Sequence, residues 1–107
     1  MPKKPRAPTA AELELHVSAA ASLLRELGNE RRLLVLCTLT GGEANVGTLS
    51  ERAGLTQPAM SQHLARLREE GLVTTRRAGT TIYYRLADPR IAKILSTLRE
   101  IFCADLV

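Results

Sequence analysis

Residues 49–73 read LSERAGLTQPAMSQHLARLREEGLV, and the order of apolar, small and polar positions in this stretch decides the fold. Leu49 and Ala53, with Val46 just before, mark one face of a short helix that Asn45 is placed to cap. Gly54 follows where a left-handed residue is needed, and Leu55 fills the corner. Thr56 then caps a longer helix from Gln57 to Glu70, with Pro58 in the first turn, where a missing backbone N–H does no harm. Met60, Leu64 and Leu67 form its inward stripe, and Gly71 stops it. Two helices joined by a short glycine-bearing turn make a helix-turn-helix.

On the C-terminal side, two short β segments are expected at residues 72–77 and 80–86, turning at Ala78-Gly79. In the second, Ile82, Tyr84 and Leu86 alternate with Thr81, Tyr83 and Arg85. Asp88 caps a last helix reaching about Asp105, with Pro89 at its first position. On the N-terminal side, Thr9 and Glu12 form a capping box. Leu13, Val17, Ala20, Ala21, Leu24 and Leu27 then recur in steps of three and four. A second helix, from Glu30 to about Thr40, is apolar nearly all round between Leu33 and Leu39 and should be central. The expected order is α-α-α-α-β-β-α, a mainly helical winged helix-turn-helix with a β-hairpin wing. The last helix carries Ile91, Ile94, Leu95, Leu98, Ile101 and Phe102, too wide a stripe for one small core. A homodimer is expected, burying Ile91, Ile94, Leu98 and Ile101 together with Leu13 and Val17.

With 107 residues there is room for one domain, expected over residues 11–107 behind a disordered basic arm at residues 1–10. The hydrophobic fraction of 45% excludes a chain that is disordered throughout. Three aromatic side chains, Tyr83, Tyr84 and Phe102, argue against a single-strand binder that stacks bases on aromatic platforms. No apolar run is long enough to cross a membrane, and the proline-rich start has no secretory character, so the cytoplasm is the expected compartment.

The net charge of +4 is unevenly spread. Residues 1–10 carry +3, residues 11–45 carry −2 and residues 46–86 carry +3. A solvated basic surface is the plainer reading, but a face presented to a polyanion has the same signature. With Met60, Leu64 and Leu67 inward, the long helix points Ser61, Gln62, Ala65 and Arg66 outward, with His63 on a flank. Such a face enters a major groove, where Gln pairs with adenine and Arg with guanine. Thr56, Gln57 and Ser61 suit phosphates at the helix mouth, and His63 suits packing or a phosphate rather than a metal. Arg76 and Arg77 sit beside the hairpin tip, placed for a phosphate backbone or a minor groove. His16 stands alone. No catalytic array is visible, and neither a cofactor nor a metal site is expected.

Residues 49–73, with Ser61-Gln62-His63-Leu64 followed by Gly71-Leu72-Val73, resemble the recognition segment of ArsR/SmtB-type transcriptional repressors. The resemblance runs from about Ala19 to Cys103. It implies a homodimer on double-stranded DNA, bound at an imperfect palindromic operator and released when an inducer arrives. The family's usual metal sites are missing: Val46 to Ser50 has no Cys, and the last helix has no His.

Cys37 and Cys103 are similarly placed to the thiol pair of the family's sulfide-responsive subgroup. The resemblance implies a redox switch in which reactive sulfur species or oxidants link the two and DNA is released. A direct disulfide needs Cα atoms within about 7 Å, and a chain of sulfurs relaxes that limit. Cys37, in an apolar run, should have a raised pKa, while Cys103 should be more accessible and react first. Buried, inert thiols are the competing reading of either residue. Three other functions stay open. One is an activator that displaces another DNA-coating protein, and one is a metal-responsive repressor using Cys37, Cys103 and His16. The third is a winged helix that binds protein instead of DNA.

Overall fold

The computed structural model describes residues 6–103. Residues 1–5 of the basic arm and the expected continuation of the last helix to Asp105 lie outside the described residues. Five helices and three short strands follow in the order α1 (Ala10–Leu27), α2 (Glu30–Thr38), β1 (Ala44–Asn45), α3 (Val46–Ala53), α4 (Gln57–Glu69), β2 (Val73–Ala78), β3 (Thr81–Leu86) and α5 (Pro89–Phe102). A 3₁₀ turn at Leu39–Gly41 ends α2 earlier than expected.

The caps are those that the side chains dictate. Thr9 accepts from the Glu12 N–H while Glu12 reaches back to the Thr9 N–H, closing the capping box. Arg6 adds a two-pronged contact to the same carboxylate, at 2.6 and 2.9 Å. Asn29, Asn45, Thr56 and Asp88 cap α2, α3, α4 and α5. Gly54 takes the left-handed conformation at φ 66° that turns α3 into α4.

The strand β1 was not expected. It pairs antiparallel with β3, Ala44 opposite Tyr84, so the wing is a three-stranded sheet in the order β1-β3-β2. The hairpin itself runs from Val73 opposite Leu86 to Ala78 opposite Thr81. This third strand anchors the root of the wing to the segment just before the helix-turn-helix.

Val35, Leu36, Leu49, Met60, Leu64, Leu67 and Leu95 are the fully buried centre of the core. Three elements thus meet on the inward stripe of α4 that the spacing predicted. The expected dimer stripe is corrected at one position. Ile91 lies in the core of its own subunit, with Leu95, because the start of α5 returns onto the domain. What remains uncovered is the far half of α5, with Ile101 64% and Phe102 78% exposed. The helix α1 is more extreme still: it buries only Leu27 and leaves Leu13, Leu15, Val17 and Leu24 in the open.

Candidate nucleic-acid interface and thiol cavity

The helix α4 presents Ser61, Gln62, Ala65 and Arg66 to solvent, away from its buried stripe, while Gln57 is exposed in the first turn on the side of α3. Thr56 has a local duty, since its hydroxyl accepts the Ala59 N–H at 3.3 Å. His63 is half-buried and faces a small recess with Asn29, Arg32, Arg66 and Leu67, where α4 meets the start of α2. It sits beside the outward polar face rather than on it.

The two wing arginines differ. Arg76 is engaged: its Nε and Nη2 donate to both oxygens of Glu43 at 2.6–2.8 Å, and its guanidinium lies 4.6 Å from the centre of the Tyr83 ring. The pairing holds the Glu43 carboxyl below its ordinary range and the Arg76 guanidinium above its own. Arg77, one residue on, is exposed and forms no ion pair among the described residues. Sequence reading missed Glu43 because nothing local ties it to a side chain that lies 33 positions away.

Behind the reading unit lies a cavity of about 560 Å³ between α2, the 3₁₀ turn, α3 and α5. Leu33, Leu34, Leu95, Leu98 and Phe102 supply its apolar walls. Cys37 and Cys103 both line it, as do Arg52 and Arg99. Both thiols are free and half-buried. Burial pushes the Cys37 thiol up, Cys103 nearby adds to the effect, and Arg99 opposes it.

A family model described as "Bacterial regulatory protein, arsR family" matches residues 29–75, from the cap of α2 into β2. Over 92 residues the chain is 42% identical to the transcriptional activator HlyU of Vibrio cholerae, covering 86% of this chain and 85% of the relative. The chain belongs to the ArsR family. As a member it is a transcriptional regulator and not an enzyme, built as a winged helix-turn-helix. Among solved ArsR-like structures, the transcriptional repressor BigR from Xylella fastidiosa superposes with a TM-score of 0.79 at 41% identity, over 90% of this chain and 98% of that one. A homodimeric winged helix-turn-helix DNA-binding domain from Mycobacterium bovis superposes at 0.65 with 29% identity, over 90% and 89%. No described helix is long and apolar enough to cross a membrane.

Proposed function

We propose that this regulator is a homodimeric repressor of the cytoplasm that holds a palindromic operator when reduced and releases it when Cys37 and Cys103 are linked. The observation that carries the reading is the shared cavity: two thiols 66 positions apart in the chain line one apolar pocket. Groups that meet only through folding, in a pocket with solvent access, are placed for chemistry between them. Cys37 stands on α2, whose Val35 and Leu36 pack in the core with Leu64 and Leu67 of the reading helix. Cys103 closes α5, where Ile101 and Phe102 await a partner. A covalent link therefore joins the reading head to the expected dimer face.

The inducer is a reactive sulfur species. A persulfide RSSH gives its outer sulfur to one thiol, leaving RSH and a cysteine persulfide. The second thiol then displaces hydrogen sulfide from it, so the dithiol is oxidised by two electrons as the persulfide is reduced. When both thiols have taken a sulfur, loss of hydrogen sulfide leaves a three-sulfur bridge, which spans a longer gap. A hundredfold loss of operator affinity requires about 2.7 kcal/mol between the two forms.

On DNA, Gln62 and Arg66 read bases in the major groove, while Thr56, Gln57, Ser61 and Arg77 meet phosphates. His63 supports the helix from its flank, and Arg76 shapes the wing from within its pair with Glu43. Two-fold symmetry sets the reading helices about 34–36 Å apart. The exposed apolar faces of α1 and α5 support the dimer.

The test is operator affinity of the reduced protein before and after an organic persulfide, with mass spectrometry of the Cys37 and Cys103 peptides. Cys37→Ser and Cys103→Ser should each bind like the reduced wild type and ignore the persulfide. Release of either variant by persulfide overturns the dithiol reading.

A further inference from the structure

Two exposed arginines also line the cavity that holds the thiols. Arg52 comes from α3 and Arg99 from α5, yet both border the same apolar walls. Every ion pair among the described residues lies elsewhere: Arg6 with Glu12, Arg32 with Glu70, Arg76 with Glu43 and Arg90 with Asp88. Neither Arg52 nor Arg99 has a carboxylate partner there. Both residues are exposed, so each attracts an anion as a partly screened charge, and the planar fork of its guanidinium matches a carboxylate. The cavity's size, about 560 Å³, lies within the span of roughly 300–1,000 Å³ typical of small-molecule sites. An apolar pocket with two cations and two thiols fits a molecule with an apolar body, a negative head and a transferable sulfur.

We propose that Arg52 and Arg99 bind the carboxylate of an organic persulfide, so that this cavity selects carboxylate-bearing persulfides over neutral ones. The inference rests on the dithiol reading given above. In the chemistry, the carboxylate docks on the guanidiniums and the persulfide's outer sulfur meets a thiolate of the pair. The sulfur–sulfur bond of the persulfide breaks, and its inner sulfur leaves as the thiolate of a carboxylate-bearing thiol, which takes up a proton. The cysteine persulfide so formed is then attacked by the second cysteine, and hydrosulfide departs. One persulfide and two thiols thus yield the linked pair, one organic thiol and hydrogen sulfide. Arg52 and Arg99 take no part in bond making; they are positioning residues.

The experiment compares two probes of equal length, 3-mercaptopropionic acid persulfide and the persulfide of its methyl ester. Loss of free thiol in the full-length reduced protein is followed off DNA at one pH, with the linked peptide checked by mass spectrometry. Wild type should react about tenfold faster with the acid, the equivalent of roughly 1.4 kcal/mol. Arg52→Gln, Arg99→Gln and the double variant should reduce that ratio, the double variant to about one. The ratio is the readout because Arg99 also lies in the electrostatic field of Cys37, and its loss alters the rate with both probes together. Equal rates with both probes in wild type, or an undiminished ratio in the double variant, overturn the arginine assignment and leave the dithiol reading standing. Failure of both probes to link Cys37 to Cys103 overturns the two readings together.

Discussion

Arg32, in the first turn of α2, donates from Nη2 to Oε1 of Glu70 at 2.9 Å, and Glu70 is the C-cap of the reading helix. The pair is more sheltered than the other ion pairs, with side-chain exposures of 18% and 34%. It fastens the N-terminal end of α2, which carries Cys37, to the C-terminal end of α4. Leu36 of α2 and Leu64 of α4 also belong to one buried core, so the two helices are tied at two levels.

Arg32→Gln should therefore cost about 1 kcal/mol of stability in urea, with an unchanged denaturant slope. It should also narrow the gap in operator affinity between reduced and persulfide-treated protein, because movement of α2 is then transmitted less directly to α4. A variant of unchanged stability whose gap matches wild type removes Arg32 from the coupling.

The two arginines of the wing should separate by their salt dependence. Arg77→Ala should weaken all DNA sequences alike and make the salt dependence shallower by roughly one unit. The double replacement Arg76→Gln with Glu43→Gln removes a pair that is neutral overall, so the slope should stay where it is. Gln62→Ala should instead cost about 1–3 kcal/mol at one base position of each half-site. Binding measured across a salt series and an operator-mutant series checks all three.

Dimerisation should depend on the exposed faces rather than on Ile91. Val17→Glu on α1 and Ile101→Glu on α5 should each yield a folded monomer that loses the operator, since both positions are exposed in the isolated subunit. Ile91→Glu should unfold the protein, because a charge cannot be buried unpaired in that core. Light scattering and circular dichroism distinguish the cases. A wild type that stays monomeric at micromolar concentration contradicts the dimer.

The reactivity of Cys37 should follow the cause of its shift. Burial disfavours its thiolate, so alkylation of Cys37 in Cys103→Ser should rise with pH and reach half-maximum above the ordinary thiol value. Adding Arg99→Gln should move the midpoint higher, since the guanidinium favours the charged form. A midpoint at or below that of a free thiol contradicts the burial.

Much of this molecule is written in short stretches of sequence. Capping by Thr9, Asn45, Thr56 and Asp88, the left-handed Gly54, and the Met60, Leu64 and Leu67 stripe act over one or two turns of chain. They could be read from residue type and period because the free energies behind them are local. The outward positions of Gln62 and Arg66 follow from the same periodicity. Resemblance, rather than periodicity, singled out Cys37 and Cys103 as a pair.

Tertiary structure alone decided the rest. A two-residue strand such as β1 has no period of its own and exists only because β3 offers it an edge. Ile91 and Ile101 belong to one helical stripe, yet the first is in the core and the second faces solvent, because the domain covers only the near half of α5. Arg76 and Arg77 are adjacent and chemically alike. Only the fold gives one of them Glu43 and Tyr83 as neighbours. The cavity joining Cys37, Cys103, Arg52 and Arg99 draws on three helices, so it appears only when their packing is known. The division has one physical reason: caps and stripes are set by neighbours along the chain, whereas pairs and cavities are set by which distant faces the core brings together.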